Sequence, residues 1–302
     1  MEAAIVIARA VQYLGGMALF GTPLFLLQTP SRLSPPWGRP LIAGAAALLL
    51  AGALAYLPAL TAEMAGDAAA ARDPDMLRSV LLETPFGVAV LARGLAACAA
   101  IAATLVRRPG RRTQALAAAL GAVALTSFAW TGHGAADPGP RGLVHLAADL
   151  LHLLAAGVWM GALFAFALRL ARPGNISASE AEQLHRHLAH FAGVGSAAVA
   201  AIVASGLFNG WFLVGPAHID RLLATPYGLV LVAKLAAFAG MVVLAARNRF
   251  VHTPALAGAL SAGPTDRALG ALRRSILLEM ALGVAVLALV ALLGVLAPIS
   301  AG

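Results

Sequence analysis

Eight apolar runs, each long enough to cross a bilayer, constrain the fold of this 302-residue chain more than any other feature of its sequence. A transmembrane α-helix needs about 20 consecutive apolar residues. Backbone N–H and C=O groups find no water inside lipid, so spanning runs of this length form helices. The sequence therefore predicts an all-α polytopic membrane protein. The predicted spans are 4–27, 41–61, 85–106, 113–131, 143–168, 191–214, 227–246 and 276–297.

The composition agrees with a membrane protein and disfavours other classes. Hydrophobic residues make up 61% of the chain and charged residues 11%, whereas soluble domains average about 45–50% and 25%. The formal net charge of +8 would favour nucleic-acid binding in a soluble protein, but here the cations lie in short connections between apolar runs. We expect the lipid bilayer as a partner and no nucleic acid. The single cysteine, Cys98, excludes a disulfide framework and a Cys-x-x-Cys motif.

The connections between the predicted spans differ in their content of Lys and Arg. Alternate connections, 28–40, 107–112, 169–190 and 247–275, hold fourteen of these residues, whereas the other connections and the termini hold four. Cytoplasmic loops of membrane proteins are enriched in Lys and Arg. We therefore expect the basic connections in the cytoplasm and both termini outside it. The sequence of 247–275 predicts a polar linker rich in Gly, Pro and Ser.

A short sequence motif occurs once in each half of the chain. Thr-Pro-Phe-Gly at 84–87, followed by Arg93, recurs 141 residues later as Thr-Pro-Tyr-Gly at 225–228, followed by Lys234. Four spans return a chain to its starting side, so two such halves have the same orientation. The sequence thus predicts two parallel four-helix repeats. Their predicted bounds are 1–131 and 132–302, with the His/Asp site in the second.

The fifth predicted span carries three ionisable side chains on one face. At about 100° per residue, His145, Asp149 and His152 share a narrow face, which Trp159 extends deeper. Ionisable groups inside a membrane are costly, and they usually face a partner, a ligand or a pathway. His133 precedes this span and can place a third imidazole near the same membrane surface. We expect His133 and His145 at the extracytoplasmic end and His152 about 10 Å deeper.

Three cations and one methionine are candidates for the same pathway. Superposing the halves puts Arg9 at the depth of Asp149, which predicts an ion pair between them. Arg93 and Lys234 each lie about two turns inside their spans and should face the bundle interior. Each could regulate ion passage, pair with Asp149 or serve as a structural cation. Met160 offers a thioether, although core packing alone would explain it.

We call the face that carries His145, Asp149, His152 and Trp159 the polar stripe of this span. Its side chains suit a transition metal. Imidazole binds copper, zinc, iron and nickel, whereas thioether selects Cu(I). His145 and His152 form a metal site only if another helix or loop completes it, and His133 is the nearest candidate. Asp149 can instead accept a hydrogen bond from a ligating imidazole and fix its tautomer. The residues expected to support the histidine ligands or to line the pathway are Asp149, Trp159, Met160, Arg9, Arg93 and Lys234.

These motifs together resemble the CopD/PcoD copper-resistance membrane proteins. The resemblance covers most of the chain, is clearest from about 84 to 250, and rests on short motifs in a common order: Thr131-Gly-His133, His145, Asp149, His152, Val158-Trp159-x-Gly161, 225–234 and Asn248-Arg249. Such proteins are associated with the periplasmic copper-binding protein CopC and are assigned to copper uptake or transfer. The resemblance implies a copper ion of either oxidation state as cargo, a CopC-like partner, and a bacterial inner membrane with both termini periplasmic. It implies no enzymatic activity.

A second function fits the same histidines. Helix histidines in four-helix membrane bundles also ligate haem, so a b-type haem or quinone-linked redox protein is the alternative. Haem needs axial ligands at equal depth on facing helices, and the first-half equivalent of His152 is Gln12. This difference disfavours bis-histidine ligation and leaves His–Met ligation open. A proton-coupled transporter for another solute is a further alternative.

Overall fold

Helices and turns make up all of the chain that the computed structural model describes, namely residues 2–28, 38–106, 110–132, 139–171 and 176–301. No β-strand occurs within these ranges. The ten α-helices are α1 (Glu2–Gln28), α2 (Gly38–Ala65), α3 (Pro74–Glu83), α4 (Pro85–Val106), α5 (Arg111–Thr126), α6 (Gly139–Ala171), α7 (Ala178–Leu213), α8 (Pro226–Arg247), α9 (Thr253–Ala262) and α10 (Asp266–Leu293).

Eight of the described segments are long and apolar enough to cross a membrane. They are α1, α2, α4, α5 with its 3-10 extension to Thr131, α6, α7, the continuous run from α8 to α9, and α10. The predicted class, an all-α polytopic membrane protein with eight transmembrane helices, is therefore confirmed. The short helix α3 and the 3-10 segments 68–72 and 216–223 lie between the spans.

The sixth span begins earlier than the sequence predicts, at Ala178 instead of residue 191. A capping box starts the helix, because the hydroxyl of Ser177 accepts from the N–H of Glu180 while the carboxylate of Glu180 accepts from the N–H of Ser177 at 3.0 Å. His185, His187 and His190 consequently lie within α7 rather than in a connection.

The polar linker predicted for 247–275 is wrong. A π-helical turn, Asn248–His252, continues α8 directly into α9. In this turn the hydroxyl of Thr253 donates to the carbonyl of Asn248 at 2.7 Å. Pro254 follows this π-helical turn, whose wider hydrogen-bond spacing, Thr253 N–H to Asn248 C=O, accommodates a residue without an N–H, so the helix continues through it. The helix ends only at Gly263, whose φ of 136° suits glycine.

Helix α1 lies at the centre of the molecule and packs on α2, α5, α6 and α10. In the N-terminal part, α1, α2, α4 and α5 form a closed ring in which each helix packs on two others. In the C-terminal part, α6 packs on α7 and α10, while α8 packs on α10. The candidate site therefore lies in the more open part of the molecule.

Helices α4 and α8 begin in the same way. The hydroxyls of Thr84 and Thr225 accept from the N–H groups of Gly87 and Gly228 at 3.0 and 3.1 Å. Proline follows the threonine in each case, as the repeated motif predicts. The arrangement as two parallel four-helix repeats divided at residue 131 stays a prediction.

Three glycines bring the backbones of α1 and α6 into contact. A Cβ atom on Gly161 would overlap the backbone of Gly21, and one on Gly21 would overlap the carbonyl of Gly157. The hydroxyl of Thr22 donates across the same contact to the carbonyl of Gly161 at 3.1 Å. Small residues spaced by four are a common means of close helix packing in membranes.

Replacing Gly161 by Ala is expected to destabilise the protein by about 1–3 kcal/mol, because overpacking forces the two backbones apart. Thermal unfolding of the purified protein in detergent measures this loss. Gly94→Ala on α4 is the matched control, since a Cβ atom there would meet nothing within 4 Å. Equal unfolding temperatures for the two variants would contradict the contact.

Candidate functional site

Helix α6 presents the outer part of its polar stripe to α7. The ring of His145, only 2% exposed, stacks on the ring of Phe212 with centroids 4.5 Å apart and planes 3° apart. One level deeper, the amide of Asn209 donates to the carboxylate of Asp149 at 3.3 Å. The common face predicted from helical periodicity thus faces the interior, as expected.

The next residue of the stripe, His152, meets a buried serine of α7. Its Nδ1 lies 3.1 Å from the hydroxyl oxygen of Ser205. That hydroxyl has one proton, which it donates to a backbone carbonyl, at 2.6 Å to Ala201 or 3.2 Å to Ile202. This arrangement favours the tautomer of His152 in which Nδ1 carries the proton and donates to the serine oxygen. In that tautomer Nε2 has the lone pair.

The seam between the two helices is continuous. Along α6, the contacts are made in order by His145, Asp149 and His152. Their partners on the antiparallel helix α7 are Phe212, Asn209 and Ser205, which follow in reverse order and likewise span seven positions. The orientation of the polar face of α6 is therefore set by direct contacts at three successive levels.

Lys234 of α8 lies within electrostatic range of Asp149 and His152. Among the residues that the structure describes, no hydrogen bond or ion pair holds its ammonium group. Pairing with Asp149, one of the uses considered for Lys234, is therefore not present as a close ion pair among these residues.

The predicted ion pair between Arg9 and Asp149 is wrong. Arg9 donates to the carbonyl of Thr131 at 2.9 Å and to the hydroxyls of Tyr13 and Tyr56 at 3.3 and 3.5 Å. These acceptors surround the guanidinium inside the N-terminal part of the molecule.

Arg93 is likewise held inside the N-terminal helix ring. Its guanidinium is 1% exposed and donates to Gln12 at 2.7 Å, to the hydroxyl of Ser127 at 2.8 Å and to that of Thr131 at 2.8 Å. It also lies 4.2 Å from the ring centroid of Phe128. Of the uses open to Arg93, this geometry favours the structural one.

Trp159 connects the inner end of the stripe to α10. Its indole N–H donates to one carboxylate oxygen of Glu279 at 3.0 Å, and the amide of Asn248 donates to the other at 2.8 Å. Glu279 and Asn248 are 2% and 8% exposed. This buried carboxylate joins α6, α8 and α10.

Met160, next to Trp159, is buried in the core together with Met241. A Cβ atom on Gly283 would lie 2.7 Å from the sulfur of Met160 and 3.2 Å from the terminal methyl group of Met241. The ends of the two methionines therefore meet over a glycine of α10. The core-packing interpretation of Met160 is sufficient for this geometry.

A cavity of about 600 Å³ opens beside Glu279. Residues of α6, α7, α8, α9 and α10 line it, and most of them are apolar. Its ionisable and amide groups are His185, Asn248, Arg249 and Glu279. Several lining residues, among them Ser196 and Arg249, are exposed, so the polar stripe of α6 ends beside a cavity that opens to the surface.

The donor groups of α6 do not form one mononuclear metal site by themselves. Seven helical residues separate His145 from His152, which is about 10 Å along the axis. Within the described ranges, no group of three or more His, Cys, Asp and Glu side chains could hold a metal ion. His133, the predicted third ligand, lies outside the described residues. The donor groups of α6 therefore lie at separate levels of the helix.

Four residues of this site were not singled out as site residues from the sequence: Ser205, Asn209, Asn248 and Glu279. Ser205 and Asn209 carry a usable signal, because polar side chains spaced by four inside an apolar span mark an interior face. Glu279 gave the signal of a carboxylate near a span end, which is equally typical of a simple interhelical contact.

Comparison with known proteins identifies the family of this multi-pass helical membrane protein. Residues 1–143 match the family described as Copper resistance protein D-like, N-terminal domain, and residues 185–293 match the family described as Copper resistance protein D. Copper resistance protein D of Pseudomonas syringae pv. tomato is 38% identical over 289 residues, which cover 94% of this chain and 91% of that protein. The chain belongs to the Copper resistance protein D family.

Two further relatives match shorter regions. Copper transport protein CutJ of Bacillus subtilis (strain 168) is 34% identical over 127 residues, which are 40% of this chain and 21% of that protein. Inner membrane protein YebZ of Escherichia coli (strain K12) is 29% identical over 173 residues, covering 57% of this chain and 55% of that protein. No solved structure matches the chain. The resemblance to copper-resistance membrane proteins is confirmed.

Proposed function

We propose that the chain transfers copper across the bacterial inner membrane and accepts it from the periplasmic side along α6. The names of two relatives, Copper resistance protein D and Copper transport protein CutJ, support copper as the cargo. The name of Inner membrane protein YebZ supports the inner membrane as the location. Copper is a substrate in this proposal, and no chemical reaction is assigned to the protein.

The observation that carries the proposal is the contact of His152 Nδ1 with Ser205 at 3.1 Å inside the span, which favours the tautomer whose Nε2 lone pair can bind a metal. A neutral imidazole with its other nitrogen fixed by a hydrogen bond is the usual form of a metal-binding histidine. Few structural uses would explain a second imidazole and a carboxylate on the same interior face.

In the proposed sequence of steps, His133 and His145 take the ion at the outer end of α6. A periplasmic CopC-like protein is the proposed donor. Asp149 supplies the negative charge that lowers the cost of a cation inside the membrane. His152 is the next ligand, about 10 Å deeper. Lys234, which acts electrostatically on Asp149 and His152, limits how long the cation stays.

Copper accumulation by cells that express the chain tests this proposal. We expect more cell-associated copper than in cells carrying the empty vector, and a loss of the difference in the double variant His145→Ala/His152→Ala. The optical spectrum of the purified protein separates this function from its alternative. A Soret band from a stoichiometric haem, without copper-dependent accumulation, would overturn the proposal in favour of a cytochrome.

The proposed direction depends on a topology with both termini in the periplasm. Single cysteines in a Cys98→Ala background test it, because a membrane-impermeant maleimide reaches only the outside of intact cells. We expect labelling of Asp67→Cys and Asp220→Cys, and none of Arg111→Cys and Asp266→Cys, all at exposed positions. The opposite labelling pattern would place the outer histidines in the cytoplasm.

A further inference from the structure

We infer that Glu279 and Asn248 form a second cation-binding site, at the inner end of the α6 stripe, which holds Cu(II) where the path enters the cavity beside α10. The inference rests on the proposed function for the identity of the cargo. It adds a position at which the ion is held after it leaves the histidines.

The carboxylate of Glu279 is buried with neutral partners. Both of its hydrogen-bond donors, the indole of Trp159 and the amide of Asn248, are uncharged. Within the described part of the chain, no Lys, Arg or His forms an ion pair with it. A buried carboxylate without a counter-charge is costly. A bound cation would remove this cost.

The nearest candidate for a counter-charge, Arg249, is bonded elsewhere. Its guanidinium lines the same cavity, but it donates to the carbonyl of Ala192 at 3.2 Å and to the hydroxyl of Ser196. Both acceptors belong to α7, on the other side of the cavity. Arg249 therefore ties α8 to α7 and leaves Glu279 free to bind a cation.

Asn248 supplies a second oxygen. Its Nδ2 is used by Glu279, whereas its Oδ1 is buried and has no hydrogen-bond partner in the part of the chain that the structure describes. Buried polar atoms without a partner are rare in native structures. Asn248 and Glu279 both line the cavity, so both side chains border the space in which an ion would be held. Oxygen ligands suit divalent ions, whereas Cu(I) prefers thioethers and thiolates.

A direct hydrogen bond joins this site to the inner end of the α6 stripe. Trp159 lies seven residues beyond His152 on the same face of α6, and its indole contacts Glu279. His185 lines the cavity as a further imidazole. The path therefore continues from imidazole nitrogen to carboxylate oxygen to an open space.

Fluorescence of Trp159 tests the inference, because bound Cu(II) quenches a neighbouring indole. The full-length protein has four tryptophans. A variant with Trp159 alone is made by substituting phenylalanine at Trp37, Trp130 and Trp211. We expect saturable quenching when copper(II) sulfate is added to this variant in detergent.

Two substitutions remove one oxygen ligand each. Glu279→Gln and Asn248→Leu should each weaken the quenching of Trp159 by about 10-fold or more in apparent affinity. Glu83→Gln, an exposed carboxylate on α3, is the matched control and should have no effect. His145→Ala should reduce total bound copper while the quenching of Trp159 persists. If Glu279→Gln does not fold, the quenching of Trp159 in Asn248→Leu tests the inner site.

Three results would overturn the inference. Wild-type quenching in folded Asn248→Leu, or in folded Glu279→Gln, excludes these oxygens as ligands. An unquenched Trp159 in protein that binds copper through its histidines excludes the inner site and leaves the proposed function intact. Protein that binds no copper at all contradicts both the inner site and the proposed function.

Discussion

Arg93→Met is expected to destabilise the protein by about 3–5 kcal/mol. The variant loses hydrogen bonds to Gln12, Ser127 and Thr131 at a site that is 1% exposed. Each buried acceptor left without a donor costs about 1–3 kcal/mol. Size-exclusion chromatography and thermal unfolding in detergent measure the loss.

Lys234→Met is the matched control for Arg93→Met. The repeated Thr-Pro-aromatic-Gly motif puts the two cations at corresponding sequence positions. Lys234, however, has no hydrogen bond or ion pair within the described ranges. We expect Lys234→Met to fold and to unfold near the wild-type temperature. Equal destabilisation by the two substitutions would contradict the structural assignment of Arg93.

Replacing His145 or His152 by Ala is expected to abolish copper binding at the corresponding position of α6, because each removes an imidazole ligand. Asp149→Asn should act more mildly and weaken binding by about 10–100-fold, as losses of groups that support a ligand usually do. Copper per protein after dialysis, measured by atomic absorption, checks both expectations. His190→Ala, at an exposed position of α7, is the control.

The sequence predicts the face of α6 well and its neighbours poorly. Helical periodicity alone puts His145, Asp149 and His152 on one side of the helix, and the contacts with α7 agree. Periodicity contains no information on which helix packs against that side. Ser205 and Asn209 are visible as partners only once the antiparallel packing of α6 and α7 is known.

Depth in the membrane is also insufficient to predict an ion pair. Arg9 and Asp149 were expected to meet because superposing the halves gives them the same depth. Arg9 instead points toward Tyr13 and Tyr56, whose hydroxyls accept from it within the N-terminal part. A guanidinium can be satisfied by neutral oxygens, so a nearby carboxylate is not required.

The linker predicted for 247–275 shows a limit of a different kind. Gly, Pro and Ser individually favour a loop, but Pro254 lies within a helix that continues from α8 into α9. The π-helical turn before it absorbs the change in register. Only the conformation of the preceding residues distinguishes this arrangement from a loop.

Copper flux into proteoliposomes tests the pathway along α6 most directly. The purified protein is reconstituted around a copper-sensitive dye, copper is added outside, and wild type is compared with His152→Ala and His190→Ala. We predict protein-dependent entry of copper for wild type and His190→Ala, and entry no faster than in protein-free vesicles for His152→Ala. Wild-type flux through folded His152→Ala would contradict a path along α6.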